Sequence, residues 1–267
     1  MLKTANLPRS TFYYQFSLLN NGDKCIDLKE KIKAIFKRNK GRYGYRRITV
    51  TLRLAGITVN HKKVKRLMDE LGIKSLIRKK KYQSFKGEFG LQAKNLLNRN
   101  FDAQQPNQKW VTDVTEFNVS GEKLYLSPIL DLYNGEIIAF ETARRPLFNM
   151  VQTMLNKAYV KLKKHDKPIL HSDQGWQYRM PVYQQSLKQY SVTQSMSRRG
   201  NCLDNATMES FFGTLKSEFF YLEKFRNIDE LEAGIKEYIH YYNNARIKLK
   251  LNGLSPVQYR KEMGLIK

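Results

Sequence analysis

Three carboxylates in this 267-residue chain stand where acids are costly unless they do something. Asp113 lies inside the alternating, β-branched run from Val111 to Val119, and Asp173 closes the short apolar run Pro168-Ile169-Leu170-His171-Ser172 just before Gly175. Glu209 lies in a helix-patterned stretch further on. A carboxylate on a buried strand is expensive unless it is paired or bound to a cation. Three of them, converging with no cysteine and a single nearby histidine, make a hard, oxygen-rich site suited to Mg²⁺ or Mn²⁺ and not to zinc. Two such ions about 3.5–4 Å apart can activate an attacking oxygen and stabilise the leaving oxygen of a phosphodiester. Other acids compete for the role. Strand alternation puts Glu116 on the face opposite Asp113, and Asp131 ends the next strand beside a turn, where aspartate is commonly structural. Periodicity alone leaves that choice open, and His171, on the strand face of Asp173, reads equally as a group backing the acids or as a core histidine.

The elements that must position these acids are legible in outline. From Arg198 to Glu218 a loop feeds a helix, with Asp204 or Asn205 expected to cap it and Met208, Phe211, Phe212, Leu215 and Phe219 forming its apolar stripe. Asn205, Glu209, Gly213 and Lys216 share a second face. Upstream, strand patterns cover Val111–Val119, Lys123–Leu132 and Glu136–Thr142, with turns at Ser120-Gly121 and Asn134-Gly135. A helix over Pro146–Lys164, a strand to Asp173, a helix over Val182–Tyr190 and a strand over Ser191–Met196 follow. Helical crossovers between the later strands imply parallel pairing in a mixed sheet covered on both faces.

Charge divides the chain. The net charge is +24 overall, and residues 1–100 hold 25 Lys and Arg against 6 Asp and Glu, a net +19. Such an imbalance favours nucleic acid over an anionic membrane, because the basic segments lack the apolar face of an interfacial helix. Neither a membrane span nor a signal peptide is patterned, so a cytoplasmic protein is expected. Cys25 and Cys202, without a CxxC, point to no disulfide framework. Three short helices between Ile26 and Leu71, broken by glycines, predict a helix-turn-helix domain over residues 25–81. Its DNA-facing candidates are Arg46, Arg47, Asn60, His61, Lys62, Lys63, Lys65 and Arg66. Residues 1–24 read as a leader or partial helix-turn-helix, 82–105 as a basic linker, 106–225 as the α/β core and 226–267 as its helical extension.

Trp110 to Thr115, His171 to Trp176, and Ser197 to Phe212 with Lys216 closely resemble the catalytic core of the DDE transposases and retroviral-type integrases. Thirty-five residues separate Asp173 from Glu209, the spacing typical of that group, and a basic residue seven positions after the glutamate completes its signature. More narrowly, Tyr43 to Ile48, Val59 to Val64, Tyr241 to Arg246 and Leu254-Ser255-Pro256 resemble the OrfB transposases of the bacterial IS-three family of insertion sequences. The resemblance implies an RNase H-like mixed five-stranded sheet flanked by helices, preceded by an all-α helix-turn-helix domain. It implies Asp113, Asp173 and Glu209 as catalytic and metal-ligating residues. Asp113 would touch both of two Mg²⁺ ions, Asp173 one and Glu209 the other, with Mn²⁺ as a substitute. Water activated there would nick element-end DNA, and the freed 3′-hydroxyl would attack a second phosphodiester. Lys216, Arg198 and Arg199 would face DNA, and a homo-oligomer would assemble on it. An upstream-frame protein product is the expected fusion or partner, since residues 4–16 resemble the second half of a helix-turn-helix. A DNA-binding regulator without catalysis and a nuclease that cuts without joining are the rival readings.

Overall fold

Apolar residues at helical spacing build α1 (Arg9–Asn20), α2 (Ile26–Arg38), α3 (Tyr45–Leu54) and α4 (His61–Glu70). The computed structural model describes residues 8–20, 25–76, 93–198 and 202–264, and the chain divides into two units at Leu76. In the first unit, α3 and α4 stop where Gly56 (φ 80°) and Gly72 (φ 65°) adopt the left-handed conformation that a side chain resists. Ile32, Ile48, Leu52, Val64 and Leu67 form its core, each no more than 1% exposed. Asn60 caps α4 by accepting the Lys62 backbone N–H at 2.8 Å.

The second unit is a mixed sheet with helices on both faces. Its strands are β1 (Lys109–Thr112), β2 (Thr115–Val119), β3 (Glu122–Asp131), β4 (Ile137–Ala143), β5 (Ile169–Ser172) and β6 (Thr193–Met196). Its helices are α5 (Phe148–Tyr159), α6 (Pro181–Gln189), α7 (Ala206–Leu215), α8 (Ile228–Asn244) and α9 (Pro256–Glu262). Six strands are found among the described residues where five were expected, and the difference is local. β1 and β2 both pair antiparallel with β3 in one unbroken register, Trp110 opposite Asp131 and Thr115 opposite Leu126. They are two halves of the single expected strand, parted at Asp113-Val114. The sheet is therefore five ribbons wide: β4 edges β3, and β5 and β6 follow β1 in parallel.

Alternation along the strands fills both faces. Val111, Phe117, Leu124, Leu126 and Leu130 pack with Met208, Phe211 and Leu215 of α7 and with Leu231, Ile235 and Tyr238 of α8. Trp110, Ile129, Ile138 and Leu170 pack with Val151, Met154 and Leu155 of α5 and with Tyr183 and Leu187 of α6. The chain between Ala93 and Asp102, inside the stretch expected to be linker, lies on this unit. Leu97 is buried, and the Leu96 N–H donates to Ser195 Oγ at 2.9 Å.

Two buried ion pairs tie the C-terminal segment to the sheet. Arg260 on α9 donates to Asp131 at 2.7 Å and stands 3.2 Å from Glu136, while the Asn107 and Tyr133 N–H groups also donate to Asp131. Arg246 grips both oxygens of Glu218 at 2.7 Å, and the Tyr238 hydroxyl donates to the same carboxylate at 3.0 Å. A fork-to-fork pair of this kind, with its remaining lone pairs satisfied, is the form in which buried charges are tolerated. No helix among the described residues is long and apolar enough to cross a membrane.

Candidate active site

The parallel register of β1 with β5 sets Val111 opposite His171. Two residues further along each strand come Asp113 and Asp173, so both acids emerge side by side at the carboxyl ends of neighbouring parallel strands. That is where open α/β sheets collect ligands. The two acids line one pocket of about 260 Å³ together with Glu116, Tyr125, Gly175 and Tyr178. Each is held by a local backbone donor, Val114 N–H to Asp113 Oδ1 at 2.7 Å and Gly175 N–H to Asp173 Oδ1 at 2.9 Å.

Their electrostatics follow from this placement. Burial, then the charge of Asp173 and, more weakly, that of Glu209, push the Asp113 carboxyl well above its ordinary range, against the Val114 N–H and Lys216. Burial likewise raises Asp173, opposed by the Gly175 N–H and Arg179. A pair of desolvated like charges, incompletely neutralised by protein cations, has the donor chemistry of a hard divalent cation site.

Glu209 is less closely drawn in. It lies exposed in the first turn of α7, outside the lining of that pocket; such burial as its carboxylate has raises its pKa. Its charge still reaches Asp113. Among the described residues, no three His, Cys, Asp or Glu side chains are gathered closely enough to enclose an ion. The structure thus brings together Asp113 and Asp173 and leaves Glu209 at a distance.

Several expectations need correction. Glu116 also lines the pocket of Asp113, although the strand alternation runs on through Asp113-Val114, with Val111 and Phe117 facing the same core. It is exposed, and the Tyr125 hydroxyl and Lys123, 3.2 Å away, lower its pKa. Neither Asp204 nor Asn205 caps α7 through its side chain. The Asn205 amide turns to the Thr112 carbonyl at 3.4 Å. Asp204 lies in a short 3-10 turn, Cys202–Asn205, where it receives Arg198 Nε, Nη2 and N–H, Arg99 Nε and Asn95 Nδ2, all within 3.2 Å. Burial works against it, but hydrogen bonds from Arg198 and Arg99 hold its carboxyl well below the usual range. Arg198, expected at DNA, is thereby engaged with Asp204, and Arg199 lies outside the described residues.

Lys216 follows Glu209 at regular helical spacing, its N–H donating to the Phe212 carbonyl, and the helix widens into a π turn only from there, over Lys216–Phe220. Its Nζ donates to Thr115 Oγ1 at 2.7 Å and sits 5.1 Å above the Phe117 ring. His171 is fully buried, its Nδ1 2.8 Å from Ser195 Oγ, and burial lowers its pKa. It is a core histidine. Asp131 is structural, as its pairing with Arg260 shows.

In the helical unit, Arg46, His61, Lys62, Lys63, Lys65 and Arg66 are exposed. Arg47 lies over the Tyr43 ring at 5.4 Å, and His61 stacks on Tyr45. Asn60 serves as the cap of α4. That helix opens with Lys62 and Lys63 and no acid in its first turn. Cations there oppose the helix dipole by roughly 0.3–1 kcal/mol each, which an external polyanion would reverse.

Comparison with known proteins places these features in a family. Residues 103–202 match a model described as integrase core domain, residues 209–263 a second model of the same description, and residues 24–81 an HTH-like domain. The chain is 55% identical over 262 residues to the putative transposase InsK for insertion sequence element IS150 of Escherichia coli K12, covering 98% of this chain and 93% of that protein. It is 38% identical over 239 residues to the transposase for insertion sequence element IS904 of Lactococcus lactis, covering 88% and 93%. Among solved structures, the HTLV-2 integrase catalytic core domain in complex with magnesium overlays with a TM-score of 0.48 and 18% identity, over 58% of this chain and 97% of that one.

Proposed function

Because this chain belongs to the insertion-sequence transposases, of the OrfB type found in the IS-three family, we propose that Asp113, Asp173 and Glu209 are the catalytic carboxylates of its DDE polynucleotidyl transfer. The observation that carries the assignment is the β1–β5 register, which delivers two half-buried, mutually repelling acids to one pocket at the strand ends. Together these acids would hold two Mg²⁺ ions, or Mn²⁺ in their place. When bound, such ions supply an activated oxygen nucleophile and neutralise the charge that develops on the leaving 3′ oxygen.

The chain's own groups do the positioning. The Val114 and Gly175 N–H groups each fix one carboxylate oxygen, which leaves Oδ2 of either acid available to a cation. Glu209 completes the set from α7, and since it lies outside the pocket, DNA and metal binding would draw it in. Lys216 and the exposed cations of α3 and α4 would meet phosphates, with residues 25–81 holding the element ends, and Arg198 and Arg199 are further candidates for DNA contact. Oligomerisation on DNA, cooperation with an upstream-frame protein product and action in the cytoplasm complete this reading.

The test is cleavage and joining of labelled element-end DNA by Asp113→Asn, Asp173→Asn and Glu209→Gln. Each variant is expected to lose both activities while keeping salt-sensitive DNA binding. Metal-dependent cleavage retained by all three would refute the assignment. Retained cleavage without joining in the parent chain would favour a plain nuclease.

A further inference from the structure

Tyr178 lines the acid pocket, yet it has no part in the scheme above. It belongs to the short 3-10 turn Trp176–Arg179 that follows Asp173, and its side chain is 1% exposed. Three contacts fix the residue. Its N–H donates to the Gly175 carbonyl at 3.1 Å, its carbonyl accepts Gln194 Nε2 at 2.6 Å, and its ring meets Tyr183 edge-on at 5.5 Å. Gly175 lets the ring and the acid come close. A Cβ at that position would stand 3.0 Å from Asp173 Oδ1 and 3.3 Å from Tyr178 Cδ2.

The phenolic oxygen of this fixed ring has no hydrogen-bond partner. The Thr112 hydroxyl stands near it, but Thr112 Oγ1 donates to the Pro128 carbonyl at 2.9 Å, and no hydrogen bond closes between the two hydroxyls. Leaving a buried hydroxyl unpaired costs roughly 1–3 kcal/mol, so the O–H of a ring that lines the pocket of two carboxylates is a donor short of its acceptor. Burial, with the charges of Asp113 and Asp173, pushes its pKa well above that of a free phenol, so the proton stays in place.

We propose that Tyr178 is a positioning residue for the metal site, donating its hydroxyl hydrogen to a carboxylate oxygen of Asp113 or Asp173 and so holding the acid pair in the orientation that ligates the cation. This rests on the assignment of those two acids as metal ligands. No acceptor is hydrogen-bonded to the hydroxyl in the metal-free site, so the contact forms when cation binding turns a carboxylate toward it, while the ring stays where Tyr183 and Gly175 hold it. Groups that orient metal ligands from behind change affinity by about 10–100-fold when removed.

The experiment is a titration of the full chain with Mn²⁺ alone, free ion being read by electron paramagnetic resonance, for wild type, Tyr178→Phe, Tyr183→Phe and Asp113→Asn. Tyr178→Phe removes one oxygen and keeps the ring. It is expected to bind Mn²⁺ about 10–100-fold more weakly, with its metal-free thermal midpoint no lower than wild type. DNA cleavage by this variant should recover at high metal concentration. Tyr183→Phe removes an equally buried, equally unpartnered hydroxyl outside the pocket lining, and is expected to bind Mn²⁺ as wild type does. Unchanged Mn²⁺ affinity in Tyr178→Phe, beside lost affinity in Asp113→Asn, overturns the role of Tyr178 and leaves the metal assignment standing. Equal weakening in Tyr178→Phe and Tyr183→Phe shows a packing effect and also overturns it. Unchanged affinity in Asp113→Asn removes the metal assignment and this inference together.

Discussion

Asp113→Asn is expected to make the metal-free protein more stable at neutral pH, whereas most substitutions of buried groups destabilise. The amide oxygen of asparagine can still accept the Val114 N–H that now reaches Asp113 Oδ1 at 2.7 Å. What disappears is the charge, and with it the burial penalty and the repulsion from Asp173 that dominate this site. Relief of such a strained charge is worth about 1–2 kcal/mol. In a unit the size of residues 77–267 each kcal/mol moves the midpoint by about 2–4 °C, so the expected rise is roughly 2–8 °C. The pH dependence has a definite sign. The folded-state pKa of Asp113 lies above its ordinary value of 3.8, so the wild type gains stability as pH falls through the raised pKa toward that value. The variant lacks this gain, and the gap between the two proteins should close near pH 4, where both side chains are neutral. Saturating Mg²⁺ should reverse the order at neutral pH, because an ion at a hundred times its dissociation constant adds about 2.7 kcal/mol to the wild type alone. Calorimetric melts in EDTA and in Mg²⁺, at neutral pH and near pH 4, check all of this. A variant less stable than wild type in EDTA at neutral pH, or one stabilised equally by Mg²⁺, would refute the reasoning.

Gly175→Ala meets no backbone obstacle, since Gly175 has a φ of −53°, but its Cβ would sit 2.8 Å from Gln177 Oε1 and 3.0 Å from Asp173 Oδ1. We expect a cost of about 1–3 kcal/mol in urea unfolding, and weaker Mn²⁺ binding in the titration described above as Asp173 is displaced; wild-type Mn²⁺ affinity would show that the side chains yield freely. Arg246→Met leaves Glu218, 1% exposed, with the Tyr238 hydroxyl but without its bidentate cation. A loss of about 3–5 kcal/mol is expected in the same unfolding measurement, with much of it restored by pairing the change with Glu218→Gln.

The order of strands and helices was legible because each carries its own periodicity. The apolar stripe of Met208, Phe211, Phe212, Leu215 and Phe219 is buried as its spacing predicts. The pairing of Asp113 with Asp173 was legible only in part, since register depends on contacts between segments sixty residues apart. The interruption at Asp113-Val114 leaves no trace in an uninterrupted β-branched pattern, and alternation alone does not tell that Glu116 lines the same pocket as Asp113. Tyr178 was missed for a related reason. It comes back beside Asp173 only because a 3-10 turn reverses the chain after Gly175, and Gln-Tyr-Arg carries no periodicity. Asp204 was misread as a cap because its partners Arg99 and Asn95 are remote in sequence, and short polar side chains near a helix start look alike whether they bond locally or across the fold.

The pairing of Asp131 with Arg260 also bears on the order in which the protein is made. Asp131 ends β3, which lies between β4 and the β1–β2 ribbon, and its cation arrives 129 residues later, on α9. A ribosome that has finished Asp113, Asp173 and Glu209 has not yet supplied that cation. A chain released before Arg260 carries a buried acid without its partner, an arrangement that costs about 3–5 kcal/mol. Chains that stop short of Arg260 are thereby biased toward unfolding and proteolysis.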